Sequence, residues 1–175
     1  TPICLDVDLD GYEDMLVSNG HLHDVNDRDV AGQPKVTGQS VAAARATLQR
    51  YPRLDTPNAA FRNRGDLTFE DIGDRWGFNS RELSHGMVLA DLDNDGDIDI
   101  VVEDLDSSPM ILQNEGDKSN HFINLELRAK QGNQLAIGAR VKITTGNIIQ
   151  TEEIRSGSSY LSQNDLRLHF GLGKA

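Results

Sequence analysis

DLDNDGDID, residues 91–99, makes every second position an aspartate, five in nine, with Asn94 and Gly96 between them. So dense a run of like charge repels itself unless something positive sits among the carboxylates. The stretch DVDLDGYED at 6–14 has the same spacing. Asp6, Asp8, Asp10, Gly11 and Asp14 match Asp91, Asp93, Asp95, Gly96 and Asp99, 85 residues apart.

The 175-residue chain is long enough to bury a core and has a formal charge of −11. The two stretches hold ten of its 28 acidic residues and no Lys or Arg, which leaves 18 acids against 17 bases elsewhere. The acidity is local, and it points to two cation sites rather than a generally acidic surface.

Other global features exclude function classes. No run approaches the ~18 apolar residues of a membrane span, and residues 1–20 lack the basic start and apolar centre of a signal peptide. Beginning at Thr1, the chain is expected to be a processed or excised piece. No basic stripe is present to neutralise nucleic-acid phosphates. Cys4 is the single cysteine, so no internal disulfide can form. In the apolar run ICL it is expected to be a small buried hydrophobe. Scarce cysteine is compatible with an extracellular or periplasmic setting.

A second repeat accompanies the first. AAFRNRGD (59–66) resembles MILQNEGD (110–117), with Asn63 and Asn114 in register 51 residues apart. The two offsets differ by 34, so the first unit contains an insertion of that length within residues 20–58. Each unit reads as strand, acidic loop, strand, connection, strand and tight turn. The first adds a fourth strand, LTFEDI. Four short antiparallel strands per repeat is the pattern of a propeller blade, of which closure takes roughly four to eight. Within the insertion, SVAAARATLQRY (40–51) is expected to be a short helix capped by Ser40 and ended by Pro52, between loops at GQPK and DTPN.

From about residue 119 the aspartates thin out, and HFINLELRA, GARVKITTG, NIIQTEEIR and LRLHFGLG read as strands. Thr145 and Gly146 suit a hairpin turn. The expected fold is therefore all-β: two propeller-type units (1–118), an incomplete propeller, followed by a small sandwich-like β domain (119–175).

Aspartates at loop positions 1, 3, 5 and 9, with glycine at 6 for the turn, bring four carboxylates and a position-7 carbonyl around one point. That many hard oxygens suit Ca²⁺, which takes 6 to 8 at about 2.3–2.6 Å, better than octahedral Mg²⁺. The candidate ligands of two calcium sites are Asp6, Asp8, Asp10, the Tyr12 carbonyl and Asp14, and Asp91, Asp93, Asp95, the Asp97 carbonyl and Asp99. An EF-hand shares the opening spacing but needs a position-12 glutamate, where this chain has Val17 and Val102. The plain alternative is a pair of solvated acidic turns; its occurrence twice with the same spacing and flanks argues against that.

These loops, with FRNRGDLTFEDIG and SHGMVLADLDNDGDIDIVVED, resemble the FG-GAP or VCBS repeats of integrin-type β-propellers. GNQLAIGARVKITTGNIIQTEEIRSGSSYLSQNDLRLHFGLG resembles the ASPIC/UnbV domain that follows such repeats in cartilage acidic protein-like secreted proteins. The resemblance implies calcium in the acidic loops, an extracellular or periplasmic setting, a binding or adhesion role toward a protein or glycan, and no established catalytic residues. It also implies further blades, and further strands after Gly173-Lys174-Ala175, so both parts are expected to be truncated.

Weaker motifs have simpler explanations. Arg64-Gly65-Asp66 spells an integrin-recognition tripeptide but occupies the turn matched by Glu115-Gly116-Asp117. His21 and His23 share a strand face, with no third soft ligand nearby in sequence. GLGKA lacks the spacing of a phosphate loop. RSGSSYLSQND (155–165) reads as a polar connection rather than a sugar site. Without a GxSxG elbow, HExxH pair or Cys/His couple, a non-enzymatic role is expected. The alternative is an accessory carbohydrate-binding domain or an unrecognised hydrolase, whose paired carboxylates would look the same in sequence.

Overall fold

A computed structural model describes residues 1–33, 40–105, 107–116 and 119–175. Among the described residues the fold is mostly β-strand, with three short helices and no closed barrel. No described helix is long and apolar enough to cross a membrane.

The first sheet is a four-stranded antiparallel meander: β1 (Pro2–Leu5), β2 (Asp14–Val17), β3 (Ala59–Asn63) and β4 (Phe69–Asp71), in that order. The pairing of Leu5 with Asp14 makes residues 6–13 the β1–β2 connection. The second sheet repeats this with β5 (Ser84–Ala90), β6 (Asp99–Asp104) and β7 (Met110–Leu112); Ala90 pairs with Asp99 across the second acidic loop.

Alternation decides which faces are buried. Ile3 and Leu5 point inward, and Cys4 between them is exposed. The expectation of a buried Cys4 is thus wrong: a two-residue period sends it to the opposite face from its apolar neighbours. Ile3, Leu5, Leu16 and Ala60 from the first sheet, with Val7 from its acidic loop, meet Met87, Leu89, Ile100 and Val102 from the second, with Ile72 and Phe78 also present, in one apolar cluster. A buried polar chain also crosses this junction. Asn19 N donates to Asn58 Oδ1 (2.7 Å), Asn58 Nδ2 to Ser84 Oγ (3.0 Å), and Ser84 Oγ to Asp104 Oδ1 (2.6 Å).

The insertion contributes no buried side chain from its helices, α1 (Arg28–Ala31) and α2 (Val41–Leu48). Ser40 Oγ caps α2 by accepting from Ala43 N (3.2 Å), as its position predicts. A third helix, α3 (Gly73–Trp76), follows β4 and ends at Gly77 with a left-handed φ of 68°. Of the expected GQPK loop, Pro34 and Lys35 lie outside the described residues, as does Asp117 of the second turn.

The C-terminal part has two ribbons. β8 (His121–Leu125) pairs antiparallel with β11 (Leu168–Gly173), and β9 (Arg140–Thr145) with β10 (Ile148–Glu153) through the two-residue loop Gly146–Asn147. Val141 and Ile143 turn inward while Arg140, Lys142 and Thr144 face out. A separate apolar cluster of Ile154, Leu168 and Phe170, with Leu125, Leu127, Val141 and Ile143 against it, joins the ribbons.

Candidate metal centre

Both acidic loops fold alike because the same positions solve the same backbone problem. Position 4 is left-handed in each (Leu9 φ 59°, Asn94 φ 61°), and so is position 6 (Gly11 φ 94°, Gly96 φ 99°). Asparagine tolerates that region; leucine is strained there, and Leu9 offsets the strain by being almost fully buried.

The position-9 aspartates are cross-braces as well as candidate ligands. Asp14 Oδ2 accepts from Val7 N (2.9 Å) and Oδ1 from Asn63 N (2.8 Å). Asp99 Oδ2 accepts from Leu92 N (2.9 Å) and Oδ1 from Asn114 N (2.8 Å). Each buried carboxylate thus ties the mouth of its loop to the end of the third strand. Nothing in the spacing alone announces this double role, although the paired Asn63 and Asn114 carried the signal.

The structure brings together positions 1, 3 and 9. Asp6, Asp8 and Asp14 offer oxygens within 4.8 Å of one another, and Asp91, Asp93 and Asp99 do the same. Position 5 lies outside these triads: Asp10 Oδ1 accepts from Tyr12 N (3.0 Å), and Asp95 Oδ1 from Asp97 N (3.0 Å). At position 7, named for its carbonyl, the Tyr12 ring packs on Gly65 and the Asp97 carboxylate lies beside Gly116.

Two carboxylate oxygens in the triads, Asp8 Oδ1 and Asp91 Oδ1, are buried with no hydrogen-bond partner among the described residues. Asp91 as a whole is only 7% exposed. A buried, unpartnered carboxylate oxygen is costly and uncommon in a folded protein. In the first loop burial pushes Asp6 up to about 7, with the charges of Asp10, Asp14 and Asp8 adding to it against a hydrogen bond from Gly11. Burial likewise pushes Asp14 up to about 7, against the amides of Asn63 and Val7.

Side chains from the third strands reach back into the loops. Arg62 Nε lies 2.6 Å from Asp8 Oδ2, and its Nη2 3.1 Å from Asp10 Oδ2. At the corresponding place in the second unit, Gln113 Nε2 donates to Asp93 Oδ2 (2.7 Å). Sequence reasoning missed this pair, although the 51-residue offset aligns the two positions.

β11 lies across both loops. Its odd residues face the loops while Leu168 and Phe170 fill the C-terminal cluster. Arg167 Nη2 reaches Asp91 O (3.4 Å), His169 Nε2 donates to Gly96 O (2.6 Å), and Gly173 N donates to Leu9 O (2.9 Å). Phe122 stacks on His169, with ring centres 5.5 Å apart, and covers Gly96 so closely that a Cβ there would overlap the ring. Asn120 Nδ2 donates to Asp8 O (2.7 Å). Burial pushes the His169 imidazole down, which favours the neutral ring that donates from Nε2.

Of the set-aside motifs, Arg64–Asp66 forms a turn in which Asp66 Oδ1 accepts from Thr68 N (3.0 Å), and Arg64 pairs with Glu70 (3.0 Å). His23 Nδ1 bonds Tyr51 O (2.9 Å).

Residues 129–175 match the family model described as ASPIC and UnbV. That segment contains β9, β10 and β11, including the loop-facing residues 167–173, and agrees with the resemblance read from the C-terminal sequence. The match does not reach the acidic loops themselves. No curated protein matches the chain.

Proposed function

We propose that this chain is a calcium-binding β module of an extracellular or periplasmic protein, with a binding or adhesion role toward a protein or glycan. In this reading residues 1–118 are two FG-GAP/VCBS-type, propeller-like repeats with an insertion at about 20–58, and 119–175 are an ASPIC/UnbV-type domain. The observation that carries it is the buried, unpartnered Asp91 Oδ1 in a triad with Asp93 and Asp99. The donors are all oxygen, which fits a hard divalent ion, and such an ion would supply the positive charge that the triad lacks. Asp91, Asp93 and Asp99 would hold it in the second loop, Asp6, Asp8 and Asp14 in the first.

Extracellular calcium modules often bind with Kd of about 10⁻⁴–10⁻³ M, and sites of that affinity fill only where calcium is abundant. At ten times Kd each filled site adds about 1.4 kcal/mol of stability. The test is calorimetric calcium titration of the chelator-stripped chain and of Asp93→Ala, an exposed position whose loss the fold should tolerate. Calcium should bind the wild type and raise its melting temperature, and the variant should lose one site. Melting indifferent to calcium, or unchanged stoichiometry in the variant, overturns the assignment.

A further inference from the structure

The two loops share backbone and spacing but differ in what neutralises them. In the first, Asp6 accepts twice from its own loop, at Oδ1 from Asp10 N (3.0 Å) and at Oδ2 from Gly11 N (2.8 Å). Asp8 and Asp10 share the Arg62 guanidinium, a planar fork suited to bridging two carboxylates. In the second, Asp93 accepts from neutral groups, the Gln113 amide (2.7 Å) and Asp95 N (3.2 Å), and among the described residues Asp91 keeps its buried oxygen without a partner. Another cation, Arg167, stands near that loop. It pairs with Asp165 (2.6 Å) and, among the described residues, meets the loop at the Asp91 carbonyl and the Asn94 side chain rather than at a triad carboxylate.

We infer that the loops are unequal sites: Arg62 is an internal counter-ion that occupies the first, so the second, faced by Gln113, takes a divalent cation at lower concentration. This rests on the calcium reading above and goes beyond it by naming the residue that sets the difference. Asp8 Oδ1, unpartnered beside the Arg62 pair, marks where an ion enters the first loop once the guanidinium swings out. Arg62 is partly exposed, with 37% of its side chain accessible, so it has room to leave. A partly exposed double pair is a modest competitor, and expelling it should weaken the first site about tenfold relative to the second.

Exchanging the two residues tests this. The full chain, stripped by chelator, is titrated with calcium by calorimetry as wild type, Arg62→Gln and Gln113→Arg, with circular dichroism confirming that each is folded. Terbium emission sensitised by Tyr12, which sits within the first loop, identifies that site independently. The wild type should show one tight and one weaker site, about tenfold apart. Arg62→Gln should tighten the weaker site and raise terbium emission at low metal concentration, and Gln113→Arg should weaken the tight one. A simple structural role for Arg62 would lower stability without tightening any site. Two equal sites in the wild type, or affinities unmoved by either exchange, overturn the inference while leaving the calcium reading intact. No calcium binding by any of the three overturns the calcium reading and this inference with it. Should Arg62→Gln fail to fold, Gln113→Arg decides alone, since Gln113 is exposed and its loss removes only one amide donor.

Discussion

Gly171 packs so closely on Asp6 that a Cβ at residue 171 would overlap Asp6 Oδ2 and come within 2.7 Å of Leu9 Cα. This contact seats the C-terminal ribbon on the first acidic loop beside the Gly173–Leu9 hydrogen bond, and it is possible only because residue 171 has no side chain.

The substitution Gly171→Ala therefore has a definite consequence. One added methyl must push β11 off the loop or displace Leu9 from its buried site, and overpacking of this kind costs about 1–3 kcal/mol. For a chain of this length that lowers the melting temperature by roughly 2–4 °C for each kcal/mol. Gly32→Ala is the control: its nearest neighbour is a carbonyl 3.5 Å away, in ordinary contact, at a φ of −77° that any residue adopts. Thermal melts of the two variants should separate clearly, and equal melting would show that the ribbon does not seat on the loop as described.

The first loop also sets how stability depends on pH. Asp6 and Asp14 are pushed up to about 7 from 3.8, both chiefly by burial, and Glu152 to about 7 from 4.5 by burial and the neighbouring Glu13. Raised carboxyls bind more protons folded than unfolded, so their contribution is fully present below pH 4 and lost as pH rises through 7. His169 acts oppositely, since its lowered value removes stability as pH falls below 6.5. Three carboxyls with large shifts outweigh one imidazole. The melting temperature in chelator should fall between pH 5 and 8. With saturating calcium the fall should shrink or reverse, because the ion replaces the protons. A chelated chain that grows more stable over that range would contradict the burial of these groups.

How far the sequence reached depends on the distance over which each contact acts. The loops, the strands around them and the Ser40-capped helix were legible because each is written within a dozen residues: acidic spacing, alternation, a cap before an alanine-rich run. The side to which Cys4 points was equally local, and was misread only because three apolar letters in a row were given precedence over the two-residue period. The rest is long-range. Arg62 reaches Asp8 across 54 residues, and Asn120 reaches the Asp8 carbonyl across 112. Gly171 and Gly173 look in sequence like the frayed end of a strand, yet the missing side chain of Gly171 is what lets β11 approach the first loop. The buried chain Asn58–Ser84–Asp104 joins the residue before β3 to two strands of the second sheet and has no signature in any one of them.

Asp91→Asn separates the burden of the second site from its use. In the unliganded chain Asp91 holds a buried oxygen with no hydrogen-bond partner among the described residues, beside two more carboxylates. Asparagine has nearly the same shape, removes one of the three charges and supplies an amide that can donate to Asp93 or Asp99. Relief of an unsatisfied buried group is worth about 1–3 kcal/mol, so in chelator the variant should melt several degrees above wild type. In calcium the order should invert, since the variant has lost an anionic ligand and the ion no longer stabilises that loop. Melting both proteins with and without calcium reads the whole cycle. If Asp91→Asn is less stable than wild type in chelator, the aspartate is satisfied by contacts other than a cation, and the second loop is a structural turn.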